Sequence, residues 1–171
     1  PPQGMGRMSP GGLARFSTNG GWEPYRYLLR LNAVLVAIAG GFLTRVIVCM
    51  PPRHGKSTLV SRYFPAWFTG MWPDRRVLLA SYEGNFAASW GLKAKDEAEA
   101  HGRALFGVQV RREVASASNW QYKGREGGMS TAGVGGPFTG KGGHVLIVDD
   151  PIKNAEEARS QARRDLVWDW Y

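Results

Sequence analysis

The run Met50-Pro-Pro-Arg-His-Gly-Lys-Ser-Thr58 has the residue types of a loop that grips phosphate. It fits the pattern G-x-x-x-x-G-K-[ST] at Gly55, Lys56 and Ser57 and departs from it at the first position, Met50. Gly55 allows the backbone to approach an anion closely. The amides that follow, through Thr58, aim their N–H groups at that anion from the start of a helix. Lys56 brings a point charge to the β- and γ-phosphates of a nucleotide such as ATP, and the Ser57 hydroxyl offers a ligand to Mg²⁺. Pro51 and Pro52 can impose the bend that the absent first glycine would otherwise make. Arg53 stands inside the loop, where a guanidinium fork can reach a γ-phosphate in cis; such a finger is worth roughly 10³–10⁵ in rate. The alternatives are an arginine in solvent or one that ties down a carboxylate. His54 can donate to phosphate or pack against the loop.

A second constellation lies far along the chain. Val145–Val148 is wholly apolar and ends on Asp149-Asp150-Pro151. A carboxylate at the end of a buried strand is costly without a partner. Mg²⁺ held between Asp149 and the phosphate loop would supply one, and Asp150 could then orient and polarise an attacking water. Asp150 could instead cap the turn after the strand.

These side chains need elements to hold them. Leu28, Leu31, Leu35 and Ile38 recur at helical spacing, and Gly40-Gly41 supplies a stop. Thr44–Met50 is a β-branched apolar run that reads as a buried strand, with Cys49 a small core residue. Ser57–Thr69 reads as a helix, Arg76–Tyr82 as a second buried strand, Asn85–His101 as a helix, Met129–Val134 as a weaker strand and Ala155–Trp170 as a closing helix. Such alternation predicts an α/β fold, a mainly parallel β-sheet flanked by helices on both faces, with ligands beyond the carboxyl ends of the strands. Residues 1–21, rich in Gly, Pro and Ser, read as a flexible tail.

The chain has 171 residues, with 22 Lys+Arg against 14 Asp+Glu and a formal charge of +8. That size suits a single domain. Hydrophobic residues at 43% and seven Trp argue against a wholly disordered chain. The single cysteine rules out an internal disulfide and points, weakly, to a reducing compartment. Leu28–Phe42, broken by Arg30 and Asn32, is shorter than the ~20 residues that span a bilayer. No charged-then-apolar leader pattern opens the sequence. His54, His101 and His144 lack zinc-ligand spacing. The excess positive charge favours an acidic partner, nucleic acid first.

The segments MPPRHGKST, RVLLASY and GVGGPFTGKGG, the last directly before VLIVDDPIKN, together resemble the ATPase domain of bacteriophage large terminase subunits. The resemblance covers about residues 22–171 in order and spacing. It implies a P-loop NTPase fold of the RecA-like, three-layer kind that hydrolyses Mg·ATP to drive double-stranded DNA into a procapsid. It further implies a homo-oligomeric ring, a portal protein and a small terminase subunit as partners, and a place in the host cytoplasm at the procapsid portal. In that family a basic residue just upstream of the acidic strand can reach a neighbouring subunit's site, and Lys141 matches it here. Lysine lacks the planar fork of arginine, which leaves that role open. Trp22 and Tyr25 fall where related motors hold adenine, though core packing would explain them as well. Family members carry a further strand and a nuclease domain with clustered carboxylates. The remaining acids here, Asp96, Glu97 and Glu99 among them, are interspersed with lysines on a helix and read as a solvated face. The resemblance therefore implies a C-terminally truncated ATPase domain, weakly active alone and without nuclease activity.

Lys93, Lys95, Arg103, Arg111, Arg112, Lys123 and Arg125 fall between the second and fourth strands, interleaved with Trp120 and Tyr122. Several could contact a DNA backbone independently of sequence. Two other readings stay open: a helicase-like ATPase stimulated by nucleic acid, and an assembly module that binds ATP without turnover.

Overall fold

The computed structural model describes residues 2–136, 138 and 142–171. Its frame is a five-stranded sheet of β1 (Arg76–Ser81), β2 (Val110–Ala115), β3 (Asn119–Tyr122), β4 (Gly128–Gly133) and β5 (Val145–Val148), in the order β2-β3-β4-β1-β5. β1 runs parallel to both β4 and β5, whereas β3 is antiparallel to β2 and β4. The sheet is therefore mixed, not mainly parallel as the alternation predicts. The reason is the hairpin at residues 110–122. Its first strand, VRREVA, is largely solvent-facing and shows little of the apolar pattern that marks a buried strand.

Val77 and Leu79 are fully buried on the face that meets the long helix α5 (Gly84–Phe106), which returns the chain from β1 to the sheet's other side. Gly91 of α5 abuts Thr131 of β4 there, and the Trp120 indole donates to the Gly91 carbonyl at 3.1 Å. α4 (Phe64–Met71) packs beside α5, carrying Phe64, Trp67 and Phe68 into the same core. On the opposite face Leu146 is 45% exposed, so the expected layering is complete on one face only. The helix read at 155–170 is broken into α6 (Ala155–Arg159) and α7 (Gln161–Trp170) by Ser160, whose side chain caps the second piece.

Two further expectations fail, in opposite directions. Within the segment read as a loose tail, residues 1–21, Gln3–Met8 is α1 and Pro10–Ser17 is α2. The Ser9 hydroxyl accepts from the Gly12 amide at 3.0 Å and Pro10 opens the helix, a favourable start. Leu13 and Ala14 are buried against the core, and the Trp67 indole donates to the Arg7 carbonyl at 2.8 Å. Gly11 serves close approach here, its amide donating to Asn32 Oδ1 at 2.7 Å on α3 (Arg26–Ala39). Conversely, Thr44–Met50 forms no strand and joins no ladder among the described residues, and Ile47 is 93% exposed. Cys49 is exposed as well, not a core residue. An apolar run becomes a buried strand only where neighbouring strands and helices cover both of its faces, and here only Val48 and Met50 rest against the core.

The helix expected over Ser57–Thr69 is a π-helix over Thr58–Tyr63 that passes into α4 at Phe64. π-turns of this kind are rare and occur often at functional sites.

Candidate functional site

Asp149 and Asp150 follow β5 directly, and the sheet brings them against the loop that precedes the π-helix. Lys56 Nζ lies 3.1 Å from Asp149 Oδ1 and 2.8 Å from Asp150 Oδ1. The Ser57 hydroxyl donates to the same Asp149 oxygen at 3.1 Å, and the Ser61 hydroxyl donates to Asp149 Oδ2 at 2.8 Å. Asp149 is 4% exposed, and the ammonium of Lys56 and the hydroxyls of Ser57 and Ser61 partner its carboxylate. Asp150 is more than half exposed and faces outward. Partial burial works to lower the pKa of the Lys56 ammonium. The hydrogen bonds and charges of Asp150 and Asp149 outweigh that, and the net shift is upward. Lys56 is therefore fully charged at neutral pH.

Backbone strain concentrates at the same place. Arg53 has φ 62° and Asp150 has φ 48°, left-handed conformations that non-glycine residues seldom adopt, while Gly55 sits at φ 81°. At Gly55 a side chain would find room but would be strained by the backbone. Two hydrogen bonds hold Asp150 in its turn: its carbonyl accepts from the Tyr82 amide at 3.1 Å and from the buried Ser81 hydroxyl at 3.3 Å. Ser81 ends β1 and Tyr82 follows it, so the neighbouring strand sets the angle at which the second carboxylate leaves the sheet.

Around the loop, His54 Nδ1 donates to the Pro52 carbonyl at 2.8 Å, which ties the loop to itself. Its ring meets Tyr27 edge-on at 5.7 Å, and Tyr27 stacks on Tyr25 with ring planes 3° apart. Tyr25 is thus placed next to the loop through Tyr27, a residue the sequence pattern did not single out. Thr58 begins the π-helix, and Arg53 is exposed. Lys141 lies outside the described residues. Among the described residues no three His, Cys, Asp or Glu side chains cluster as a metal cage. One buried carboxylate and one hydroxyl suit Mg²⁺, which keeps its waters and takes its other ligands from phosphates.

Glu97 is not part of a solvated face. It is buried, and Arg62 of the π-helix donates to its Oε1 from Nε at 2.9 Å and from Nη2. Its Oε2 has no hydrogen-bond partner among the described residues, with His101 Nε2 3.7 Å away. The signal was present in the i, i+4 spacing of Glu97 and His101, but an arginine 35 residues upstream could not be paired with them from sequence.

Of the basic residues, Arg103, Lys123 and Arg125 line one open depression of about 250 Å³. It lies near the start of β1, at the other end of the sheet from Lys56. Lys93 rests over the Trp90 ring at 4.0 Å and Lys95 donates to the Ala115 carbonyl at 3.0 Å, so both are engaged internally. Arg111 pairs with Glu113 at 3.3 Å, while Arg112 is exposed. Trp120 and Tyr122 are buried in the core and are not available to stack on bases.

A family model described as the terminase large subunit, T4likevirus-type, N-terminal, matches residues 47–171. The chain belongs to this family. The match begins at Ile47, just before the loop at residues 50–58, and runs through Asp149 and Asp150 to the end of α7. Membership of the terminase large subunits fits a part in DNA packaging. No curated protein and no solved structure matches the chain. No described helix is long and apolar enough to cross a membrane.

Proposed function

We propose that this terminase chain binds Mg·ATP between the loop at residues 50–58 and the carboxylates after β5, and hydrolyses it to drive double-stranded DNA into a procapsid. The observation that carries this reading is Lys56, which meets Asp149 at 3.1 Å and Asp150 at 2.8 Å while Ser57 donates to Asp149. A phosphate-binding lysine, a magnesium-binding hydroxyl and two carboxylates thus converge from segments more than ninety residues apart. The P-loop NTPase fold is part of the same proposal.

In this reading Ser57 and Asp149 hold Mg²⁺, which neutralises charge on the β- and γ-phosphates when bound. Lys56 leaves the carboxylates for the phosphates. Pro52, Arg53, His54, Gly55 and Thr58 shape the cradle, and Arg53 adds charge at the γ-phosphate. Asp150, held by Ser81 and Tyr82, orients the attacking water. Tyr25, with Tyr27 behind it, stacks on the base. Lys141 completes the site of the next subunit in a homo-oligomeric ring at the portal, where the small terminase subunit also acts. The depression at Arg103, Lys123 and Arg125 contacts the DNA backbone.

The test is steady-state ATP turnover by the chain and by Lys56→Ala, with and without double-stranded DNA, across protein concentration. Turnover that rises with concentration and falls at least about 100-fold in the variant is expected. Lys56-dependent binding without turnover at any concentration would favour an assembly module, and absence of nucleotide binding would sink the proposal.

A further inference from the structure

Ser61 has no place in the phosphate-loop pattern, yet its side chain reaches the centre of the site. It is fully buried in the π-helix, one helical step beyond Ser57, and its hydroxyl donates to Asp149 Oδ2 at 2.8 Å. Serine and threonine hydroxyls within helices commonly turn back to the carbonyl four residues earlier. Thr69 in α4 does so, donating to the Pro65 carbonyl at 2.8 Å. Ser61 instead bonds a residue 88 positions away.

The two oxygens of Asp149 are thereby divided. Oδ1 meets Ser57 and Lys56 on the loop side, and among the described residues Ser61 alone donates to Oδ2, from the interior. A carboxylate without such a hold turns readily about its last bond, because that torsion is broad and nearly two-fold. Fixing one oxygen keeps the other aimed at the loop. In metal sites, hydrogen bonds to a ligating carboxylate from behind raise its affinity, and their loss costs typically 10–100-fold.

We propose that Ser61 is a positioning residue for the cation-binding carboxylate, holding Asp149 so that Oδ1 faces the metal that accompanies the nucleotide. The inference rests on the nucleotide reading above. It assigns Ser61 no contact with nucleotide or metal; its effect passes through Asp149.

The experiment compares the chain with Ser61→Ala and Ser61→Thr. Affinity for a fluorescent ADP analogue is measured in EDTA, and Mn²⁺ affinity of the protein–ADP complex is measured from the loss of the free-ion resonance signal. Ser61→Ala should weaken Mn²⁺ binding about 10-fold or more while metal-free ADP affinity stays within about two-fold, and Ser61→Thr, which keeps the donor, should restore it. A merely structural hydrogen bond would shift both affinities together or neither. A folded Ser61→Ala protein that binds Mn²⁺ as tightly as the parent overturns the inference and leaves the nucleotide reading intact. A parent chain that binds no ADP by a route lost in Lys56→Ala overturns both. If Ser61→Ala does not fold, Ser61→Cys, close in volume but a weak donor, is judged by the same two affinities.

Discussion

The first seventeen residues and the segment around Ile47 exchange the roles that their compositions suggest. The glycine- and proline-rich start folds into two helices with Leu13 at 1% exposure, while the β-branched run Thr44–Met50 is exposed as far as Ile47, at 93%, and only Val48 and Met50 rest on the core. Glycine in the first region permits close packing, as at Gly11 against Asn32. In the second, only Val48 and Met50 pack against the core, and Ile47 points away from it. Burial is a property of a pair of surfaces, and composition supplies only one of them.

That contrast can be broken by substitution. Leu13→Ala should destabilise the chain by about 3 kcal/mol through lost burial and the cavity left behind, measured by urea unfolding. A negligible loss would mean that the N-terminal helices are not part of the cooperative unit. Arg62→Ala should cost a comparable amount, of order 3 kcal/mol, because it leaves the Glu97 carboxylate buried without its cation. Replacing the same carboxylate as well, in Arg62→Ala with Glu97→Gln, should recover part of the loss, which a simple packing defect would not.

A smaller effect is expected at Tyr122, whose hydroxyl meets Thr69 at 3.2 Å in the core. Burial pushes its pKa up, with the Thr69 hydrogen bond opposing. The folded state therefore keeps the proton that the unfolded chain releases near pH 10, so stability falls as pH rises above that value. Tyr122→Phe should cost about 1 kcal/mol at neutral pH and flatten the decline above pH 10 in thermal melts. Lys56 adds to the same alkaline loss. Its folded pKa is raised, so its pairing with Asp149 and Asp150 is complete below the ordinary lysine value and disappears as pH rises through the folded one.

The smallest change sharpens the other side of the comparison. Ile47→Ser should alter stability by no more than about 0.5 kcal/mol. Cys49, exposed two residues on, should react with a thiol reagent in the native chain at nearly the rate of the urea-unfolded protein. Protection of Cys49 would show that the segment is covered in solution and remove the contrast.

Much of the site was readable one residue at a time. Gly55, Lys56 and Ser57 follow a local pattern, and Asp149-Asp150 stands out because carboxylates seldom end an apolar run without a partner. Strands Arg76–Ser81 and Val145–Val148 were equally plain, since continuous apolar runs bounded by turns are a short-range signal. What was not readable depends on pairing at a distance. The first strand of the hairpin at 110–122 is largely charged and outward-facing, Tyr27 enters only by stacking on Tyr25, and Glu97 is buried only because Arg62 arrives from another helix.

The sequence by itself determined the residue types on offer: a loop carrying Gly55, Lys56 and Ser57, two carboxylates at a strand end and an excess of positive charge. Those are properties of residue type and near spacing. Only the tertiary structure decided which of them meet. It set Lys56 between Asp149 and Asp150, gave Asp149 its second hydroxyl from Ser61, bound Asp150 to the end of β1, and drew the N-terminal residues into the core while leaving Ile47 outside. Each of these needs two surfaces far apart in the chain to come together, and the free energy for that resides in their contact and not in either segment alone.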